Sequence, residues 1–194
     1  MAFNGGEPEH AAALVQTLRQ LVGSRWRPRR SICLHGRVGT GKTHFQLCLF
    51  FVALEAGVDA VWLDEPTMQA EVTASRNHEP ATSLRGKNAI ERWRRAEALF
   101  FNDVGFDDNP PSRDLPGRPL LSNLYWHLLE KSSSALCASM NPHPSELCGH
   151  PDVGDRVVSR MLGRFTGGLP PLVVKFDGED QRLARLLAQP KGTR

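Results

Sequence analysis

Residues 36–43 have the sequence GRVGTGKT, which matches the GxxxxGK[ST] spacing of a phosphate-binding loop. Glycines allow the backbone to wrap around phosphate oxygens with its N–H groups pointing inward. In such a loop the Lys42 ammonium reaches the β and γ oxygens of a nucleotide, and the Thr43 hydroxyl binds magnesium. The alternative is a glycine turn that carries a surface lysine. Because the motif stands between a predicted strand and a predicted helix, we predict a phosphate site.

The segment ALFFND at residues 98–103 is the candidate for the metal-binding strand. Such a strand normally delivers a carboxylate to nucleotide-bound magnesium, but here the first polar residue is the amide Asn102, and Asp103 follows it. An amide oxygen can accept a hydrogen bond from a magnesium-bound water, yet it brings no negative charge to the ion. We predict a metal site of Thr43, Asn102 and Asp103, in which the one carboxylate either holds the metal or orients water. Nucleotide binding should then persist while hydrolysis is slow.

A second acidic segment, VWLDEPT at residues 61–67, has the composition of a magnesium-binding strand. It follows Lys42 by only about 20 residues, the length of one helix and a turn, so we assign it to the strand adjacent to the first. Asp64 and Glu65 are then predicted to cap the next helix, because acidic side chains are favoured at helix starts. The segment 98–103 lies about 60 residues past Lys42, which leaves room for an intervening strand and helix.

Asn141 ends a further predicted strand, at the edge where parallel strands meet their ligand. An amide at this edge can hold an attacking water between the γ-phosphate and an acidic residue. The alternative is an asparagine that caps a turn before Pro142. Beside a phosphate loop we favour the first interpretation.

Arg156 and Arg160 lie four residues apart on one stripe of a predicted helix, next to the stripe of Val157 and Met161 that should pack inward. Paired guanidinium groups on a surface can reach into the nucleotide of a neighbouring subunit and stabilise charge on the transferring phosphate. Alternatively, Arg156 pairs with Asp152 one turn earlier. The residues alone leave both interpretations open.

The elements that must position these residues follow from hydrophobic periodicity. Predicted strands are residues 31–35, 59–63, 98–101, 134–140 and 171–176. Predicted helices are residues 8–22, 44–57, 65–75, 152–162 and 181–189. A further predicted helix has Pro119 in its first turn and carries Leu120, Leu121, Leu124 and Leu128 inward. The helix at 44–57 is apolar on most sides and should be buried, whereas residues 77–83 and 107–119 are predicted loops. Strands that alternate with helices predict an α/β fold, with a parallel sheet covered on both faces.

Length and composition suit one domain, since 194 residues and 21.5 kDa can bury a sufficient core. The longest apolar run, residues 47–54, is too short for a bilayer span, and the N-terminus lacks a secretory pattern. We therefore expect a cytoplasmic protein without a membrane partner. Cys33, Cys48 and Cys137 lie in apolar stretches, which favours reduced thiols over disulfides.

The order of the motifs resembles that of the AAA+ ATPases of the DnaC/IstB group, the bacterial helicase loaders and the ATP-dependent helpers of insertion-sequence transposases. The matching motifs are GKTH at 41–44, FFNDVG at 100–105, SMN at 139–141 and DRVVSRM at 155–161. The resemblance covers about residues 31–176. It implies a P-loop NTPase with an AAA+ core, in which a five-stranded parallel sheet lies between helices and no sizeable lid domain follows. Residues 1–30 would be a short N-terminal helix and a basic hinge, and residues 31–194 the ATPase core.

The resemblance also implies an ATPase with ATP and Mg²⁺ as cofactors, made weak by Asn102. Such a protein assembles head to tail into homo-oligomers on single-stranded or duplex DNA, and it loads or activates a helicase or transposase. The implied phosphate-binding residues are Gly36, Val38, Gly39, Thr40, Gly41, Lys42 and Thr43. The implied catalytic residues are Asp103, Asn141 as the first sensor, and Arg156 and Arg160 as candidate arginine fingers.

Net charge is only +3 with a pI near 8.8, which excludes a polycation that coats nucleic acid, but basic residues are concentrated in residues 25–30 and 85–95. By the resemblance, residues from the predicted helix 65–75 through the second segment fall where relatives contact single-stranded or duplex DNA. The implied DNA-binding residues are Lys87, Arg92, Trp93, Arg94 and Arg95, with arginines on phosphates and the tryptophan as a stacking surface. The alternative is a solvated helix face with one core tryptophan.

Two departures from the resemblance limit what it implies. The N-terminal module with which helicase loaders grip their helicase is replaced by one short helix, and relatives carry two acidic residues where this chain has Asn102 and Asp103. Competing hypotheses are a nucleotide-gated scaffold with vestigial hydrolysis and a small phosphotransferase, although no lid of several arginines follows the core. A zinc site of His143, Cys148 and His150 would need ligands at irregular spacing.

Overall fold

The computed structural model describes residues 31–104, 134–149, 154–162 and 172–177, together with Gln16, Tyr125, Leu128 and Leu129. Four predicted elements lie outside these residues: helix 8–22 except for Gln16, hinge 25–30, loop 107–119 and helix 181–189. Gln16 is helical, and the division of the chain at residue 30 stays a prediction.

The strands form one sheet in which every neighbouring pair is parallel, in the order β2-β3-β4-β1-β5. They are β1 Ile32–Gly36, β2 Ala60–Asp64, β3 Ala98–Asn102, β4 Ala135–Met140 and β5 Leu172–Phe176. Strands β3 and β4 are buried along almost their whole length, as expected for central strands covered on both faces. The predicted α/β fold with a five-stranded parallel sheet is confirmed.

The prediction that β2 neighbours β1 is wrong. Strand β1 pairs with β4 and β5, and β2 lies at the edge of the sheet, where it pairs with β3 alone. Strands are about 4.8 Å apart in a sheet, so β2 is roughly 14 Å from β1. The 14-residue helix between them rises about 21 Å and can span that distance, because a helix rises 1.5 Å per residue.

The described helices are α1 Lys42–Glu55, α2 Glu65–Ser75, α3 Pro80–Arg95 and α4 Gly154–Leu162, with a short 3-10 helix at Pro144–Leu147. The loop predicted at 77–83 is wrong for residues 80–83, because α3 already begins at Pro80. Proline suits the first turn of a helix, where its missing N–H costs nothing. Within the described residues, no helix combines the length and the apolar composition that a bilayer span requires.

Helix α1 covers one face of the sheet and is only partly buried. Phe45, Leu49 and Ala53 pack against the strands, whereas Phe51 and Leu54 are 58% and 43% exposed. The expectation that this helix is buried on most sides is therefore corrected. Its outer face is apolar and still meets solvent.

The other face of the sheet is covered by α2, α3, α4 and the helical residues Tyr125, Leu128 and Leu129. Leu128 is buried as predicted, while Pro119, Leu120, Leu121 and Leu124 lie outside the described residues. Helices α2 and α3 approach each other closely at Gly86, where a β-carbon would clash with the backbone of Ser75. The predicted cap of α2 is confirmed, since the Asp64 Oδ1 accepts a hydrogen bond from Thr67 N at 2.7 Å.

Candidate nucleotide-binding site

The loop between β1 and α1 depends on glycines with a left-handed backbone. The φ angle is 140° at Gly36, 79° at Gly39 and 97° at Gly41, values that residues with a β-carbon rarely adopt. A β-carbon at Gly36 would also clash with the carbonyl oxygen of Phe176 on β5. The Thr40 hydroxyl donates to the Arg37 carbonyl at 2.8 Å and so closes the tip of the loop. The strand, loop and helix that the motif requires are present in that order.

Lys42 begins α1 and its side chain folds back into the loop. The Nζ atom donates to the carbonyl oxygens of Gly36 and Arg37, both at 2.7 Å, and the residue is only 4% exposed. A buried ammonium is tolerated only where hydrogen-bond partners replace water. The alternative of a glycine turn with a surface lysine is therefore excluded.

The surroundings of the loop fit a triphosphate with Mg²⁺. Apart from Gly41 itself, its chain neighbours and the backbone of α1, no heavy atom of the described residues lies within 4 Å of the position that a β-carbon on Gly41 would take, so the loop is open there. Because Gly41 is the N-cap of α1, no side chain caps this helix start, and its first N–H groups can bind an anion. Thr43 is partly exposed in the first turn of α1, where its hydroxyl can serve as a hard oxygen ligand.

Asn102 and Asp103 lie at the carboxyl end of β3, the end of a parallel strand at which ligands bind. The Asn102 Nδ2 donates to Asp103 Oδ2 at 3.0 Å, and the Ser139 hydroxyl donates to Asn102 Oδ1 at 3.2 Å. The amide oxygen has a second lone pair for a magnesium-bound water. The assignment of Thr43, Asn102 and Asp103 to a metal ion, and of Asp103 to catalysis, stays a prediction.

Asn141 directly follows β4 and lies beside the phosphate loop. Its carbonyl oxygen accepts a hydrogen bond from Gly36 N at 3.2 Å, and the register pairs His35 with Met140. The fold thus brings the sensor candidate next to the first glycine of the loop. Its catalytic role remains a prediction.

Gln46 is a buried polar residue that sequence reasoning missed. It lies one turn after Lys42 on α1, and its Nε2 donates to the carbonyl oxygens of Phe101 and Cys137, both at 2.9 Å. These bonds connect the phosphate-binding helix to β3, directly before Asn102, and to β4. A polar residue on the buried stripe of an otherwise apolar helix was the signal that could have identified it.

We expect Gln46→Leu to lower the free energy of unfolding by about 2 to 4 kcal/mol, because two buried carbonyl oxygens lose their donor. Urea denaturation measures this change. His44→Leu, at an exposed position of the same helix, is the matched control and should change stability by less than about 0.5 kcal/mol. Equal effects of the two substitutions would contradict the structural role of Gln46.

His35 is a second buried polar residue that the sequence did not single out. It is the last residue but one of β1, and its ring contacts that of His143 edge to face with centroids 4.8 Å apart. Burial lowers the pKa of His35 most, His143 and Lys175 lower it further, and Asp177 and Glu146 act in the opposite direction. The folded protein therefore favours the neutral imidazole.

This pKa direction predicts a loss of stability in mild acid. Below about pH 6.5, the ordinary histidine pKa, the unfolded chain binds a proton at His35 before the folded protein does, so the unfolding free energy falls as pH decreases. Urea denaturation at pH 7.5 and 5.5 should show that the unfolding free energy falls less for His35→Gln than for the wild type. The exposed His78→Gln control should lose as much as the wild type, and an identical loss in all three proteins would contradict the prediction.

Arg156 and Arg160 are exposed on α4, while Val157, Val158 and Met161 on the same helix are buried. The predicted inward stripe is therefore confirmed. Asp152, the alternative partner of Arg156, lies outside the described residues. The role of the two arginines at a neighbouring subunit stays a prediction.

The predicted DNA-binding residues are all on α3, but they do not share one surface. Trp93 is 5% exposed and packs in the core, so the stacking surface predicted for it is wrong, and the alternative of a core tryptophan holds. Lys87, Arg92 and Arg95 are exposed and Arg94 is partly buried. All three arginines of this set form ion pairs: Arg92 with Asp59 at 3.9 Å, and Arg94 and Arg95 with Glu91 at 3.7 and 3.0 Å.

The zinc alternative receives no support from the residues that the structure describes. Among them no group of three or more His, Cys, Asp or Glu side chains could hold a metal ion. His143 and Cys148 are exposed in the segment after β4, and His150 lies outside the described residues.

Comparison with known proteins shows the fold. No family model and no curated protein matches the sequence. The structure is similar to that of DnaI, with a TM-score of 0.65, 14% identity and coverage of 94% of this chain and 88% of DnaI. It is similar to the DnaC helicase loader, with a TM-score of 0.63, 16% identity and coverage of 86% and 90%.

A third similar structure is AMPPCP-bound DnaA from Aquifex aeolicus, with a TM-score of 0.60, 18% identity and coverage of 97% of this chain. The chain spans only about half of the length of three initiator structures that it matches, 51% of one and 54% of the other two. At these identities the likeness concerns the fold. The chain has the fold of DnaI, the DnaC helicase loader and DnaA, with a five-stranded parallel sheet between helices, as the order of its motifs implied.

Proposed function

We propose that this chain is an ATP-binding AAA+ protein that assembles head to tail on DNA and loads or activates a partner, such as a replicative helicase or a transposase. The observation that carries the proposal is the buried Lys42 ammonium, held inside a loop of left-handed glycines at the start of α1. That arrangement is built for the phosphates of a nucleotide. Two similar structures support the proposal. One initiator is described as bound to AMPPCP and single-stranded DNA, which supports ATP and DNA as ligands, and another is the DnaC helicase loader, which supports the loading of a partner.

Hydrolysis in this proposal is slow. Asn102 stands at the end of the metal-binding strand, and its amide brings no charge to Mg²⁺, so Asp103 is the carboxylate left to hold the metal or orient water. Nucleotide then acts mainly by controlling assembly.

DNA contact is assigned to the exposed basic residues of α3. Lys87, Arg92 and Arg95 can neutralise phosphates, whereas the buried Trp93 only holds the helix against the core. The ion pairs of Arg92 and Arg95 are exposed and each contributes little to stability, so a DNA phosphate can replace the acidic partner.

The test of assembly is light scattering with ATP, ADP or no nucleotide, each with and without single-stranded DNA. We expect the average molar mass of the particles to increase when ATP and DNA are both present. The increase should disappear in the Arg156→Ala/Arg160→Ala variant, because these guanidinium groups complete the nucleotide site of the adjacent copy. Lys175→Ala, an exposed basic residue on β5, is the control and should assemble normally. Assembly by the double variant would place the two arginines outside the interface.

A second candidate function is a nucleotide-gated scaffold with vestigial hydrolysis, which the amide at Asn102 favours. Single-turnover measurements with ATP, with and without DNA, distinguish the two. DNA should accelerate hydrolysis if the protein is a working ATPase, whereas a scaffold binds ATP and leaves it intact under both conditions.

A further inference from the structure

We propose that Ser139 is a positioning residue, whose hydroxyl holds the Asn102–Asp103 turn so that the Asp103 carboxylate is fixed in one orientation toward the nucleotide site. The inference rests on the proposed function, in which Asp103 acts on bound ATP. Ser139 lies on β4, two residues before Asn141, and is 0% exposed.

Four polar groups form a closed ring of hydrogen bonds at this point. Asp103 N donates to the Ser139 hydroxyl at 3.1 Å, and this hydroxyl donates to Asn102 Oδ1 at 3.2 Å. The Asn102 Nδ2 then donates to Asp103 Oδ2 at 3.0 Å, which returns the ring to the residue where it started. The Ser139 hydroxyl thus acts on the backbone of Asp103 directly and on its carboxylate through Asn102.

The backbone explains why such a ring is needed. The β3–β4 ladder ends at the pair Phe101 and Ala138, and Asp103 has a φ of 53°, in the left-handed region. Among the described residues it is the one non-glycine residue with a positive φ. Aspartate adopts this conformation more readily than most residues, but it does so only where its surroundings hold it.

Ser139 supplies two hydrogen bonds that hold the turn to β4. Its hydroxyl accepts from Asp103 N, and its carbonyl oxygen accepts from Val104 N at 2.8 Å. Because the residue is fully buried, water does not compete for the hydroxyl. The side chain therefore fixes a carboxylate that β3 alone would leave free to rotate.

Asn102 transmits the effect because an amide has both an acceptor and a donor. Its oxygen receives the serine proton, and its nitrogen donates to the carboxylate. The amide at the metal-binding position thereby acquires a second role, which is to orient the one carboxylate that the turn contains.

The first test is hydrogen exchange of backbone amides, measured by NMR in the protein without nucleotide. Ser139→Ala removes the acceptor of the Asp103 amide but keeps the carbonyl that accepts from Val104. We expect the Asp103 amide to exchange about tenfold faster, which corresponds to the loss of one hydrogen bond. The Val104 amide is the internal control, and its exchange rate should stay unchanged. Should Ser139→Ala not fold, Ser139→Cys keeps the shape of the side chain at a slightly larger volume and replaces the hydroxyl with a thiol, which is a weaker hydrogen-bond partner.

The second test is a double-mutant cycle on ATP turnover. Ser139→Ala should lower kcat by about tenfold with an unchanged affinity for ATP, and it should have no further effect in an Asp103→Asn background. An equal loss in both backgrounds would mean that Ser139 acts on the fold in general, and unchanged exchange at Asp103 would also overturn the inference. Failure of the wild type to bind ATP would refute the proposed function instead, and the exchange result would still report on the ring.

Discussion

Lys42→Ala weakens ATP binding by at least about 100-fold, since charge-assisted hydrogen bonds contribute roughly 1.5 to 3 kcal/mol each and the ammonium serves more than one phosphate oxygen. The structure supplies the reason for so large an effect. The side chain is buried, and its donors already point to the loop carbonyls of Gly36 and Arg37. Binding phosphate therefore costs little further ordering of the side chain.

Fluorescence titration with a labelled ATP analogue measures this loss of affinity. Lys87→Ala, an exposed lysine on α3, is the control and should bind as the wild type does. Because Lys42→Ala also removes two loop contacts, the melting temperature without nucleotide must be measured for both variants. A folded Lys42→Ala protein that binds ATP within threefold of the wild type would disprove the assignment of the loop.

Asp103→Asn lowers ATP turnover by about 100-fold or more, the range found when a positioned acid or base is removed. The substitution keeps the size of the side chain and removes the one carboxylate that the turn offers to metal or water. Binding of ATP without metal should change little, because the phosphate loop is untouched.

Asn102→Asp is the reciprocal substitution and should leave turnover equal or raise it. A second carboxylate brings negative charge to Mg²⁺, and this outweighs the loss of one amide hydrogen bond to Asp103. A lower magnesium concentration should then suffice for half-maximal turnover. A drop in turnover for Asn102→Asp, or no loss for Asp103→Asn, would contradict the roles proposed for this pair.

The strands and the phosphate loop could be predicted because their signals are local. Buried strands are continuous apolar runs, and glycine spacing reports the positive φ angles that were found at Gly36, Gly39 and Gly41. The cap at Asp64 was predictable for the same reason, since its partner Thr67 is three residues away.

Predictions failed where the answer depended on distant parts of the chain. The start of α3 at Pro80 and the core position of Trp93 depend on packing against α2 and the sheet, which a basic composition does not reveal. The edge position of β2 depends on which strands enter between it and β1. Sequential order along the chain does not decide this.

The sequence by itself determined the phosphate loop, the alternation of strands and helices, and the unusual amide before Asp103, because each is a pattern among near neighbours in the chain. Only the tertiary structure decided that Gln46 connects α1 to β3 and β4, and that Ser139 closes a ring with Asn102 and Asp103. Each of these contacts joins two residues that are separated by between 36 and 91 positions in the chain. They exist because a parallel sheet brings the carboxyl ends of its strands together on one side, where their polar groups can form hydrogen bonds with one another away from water.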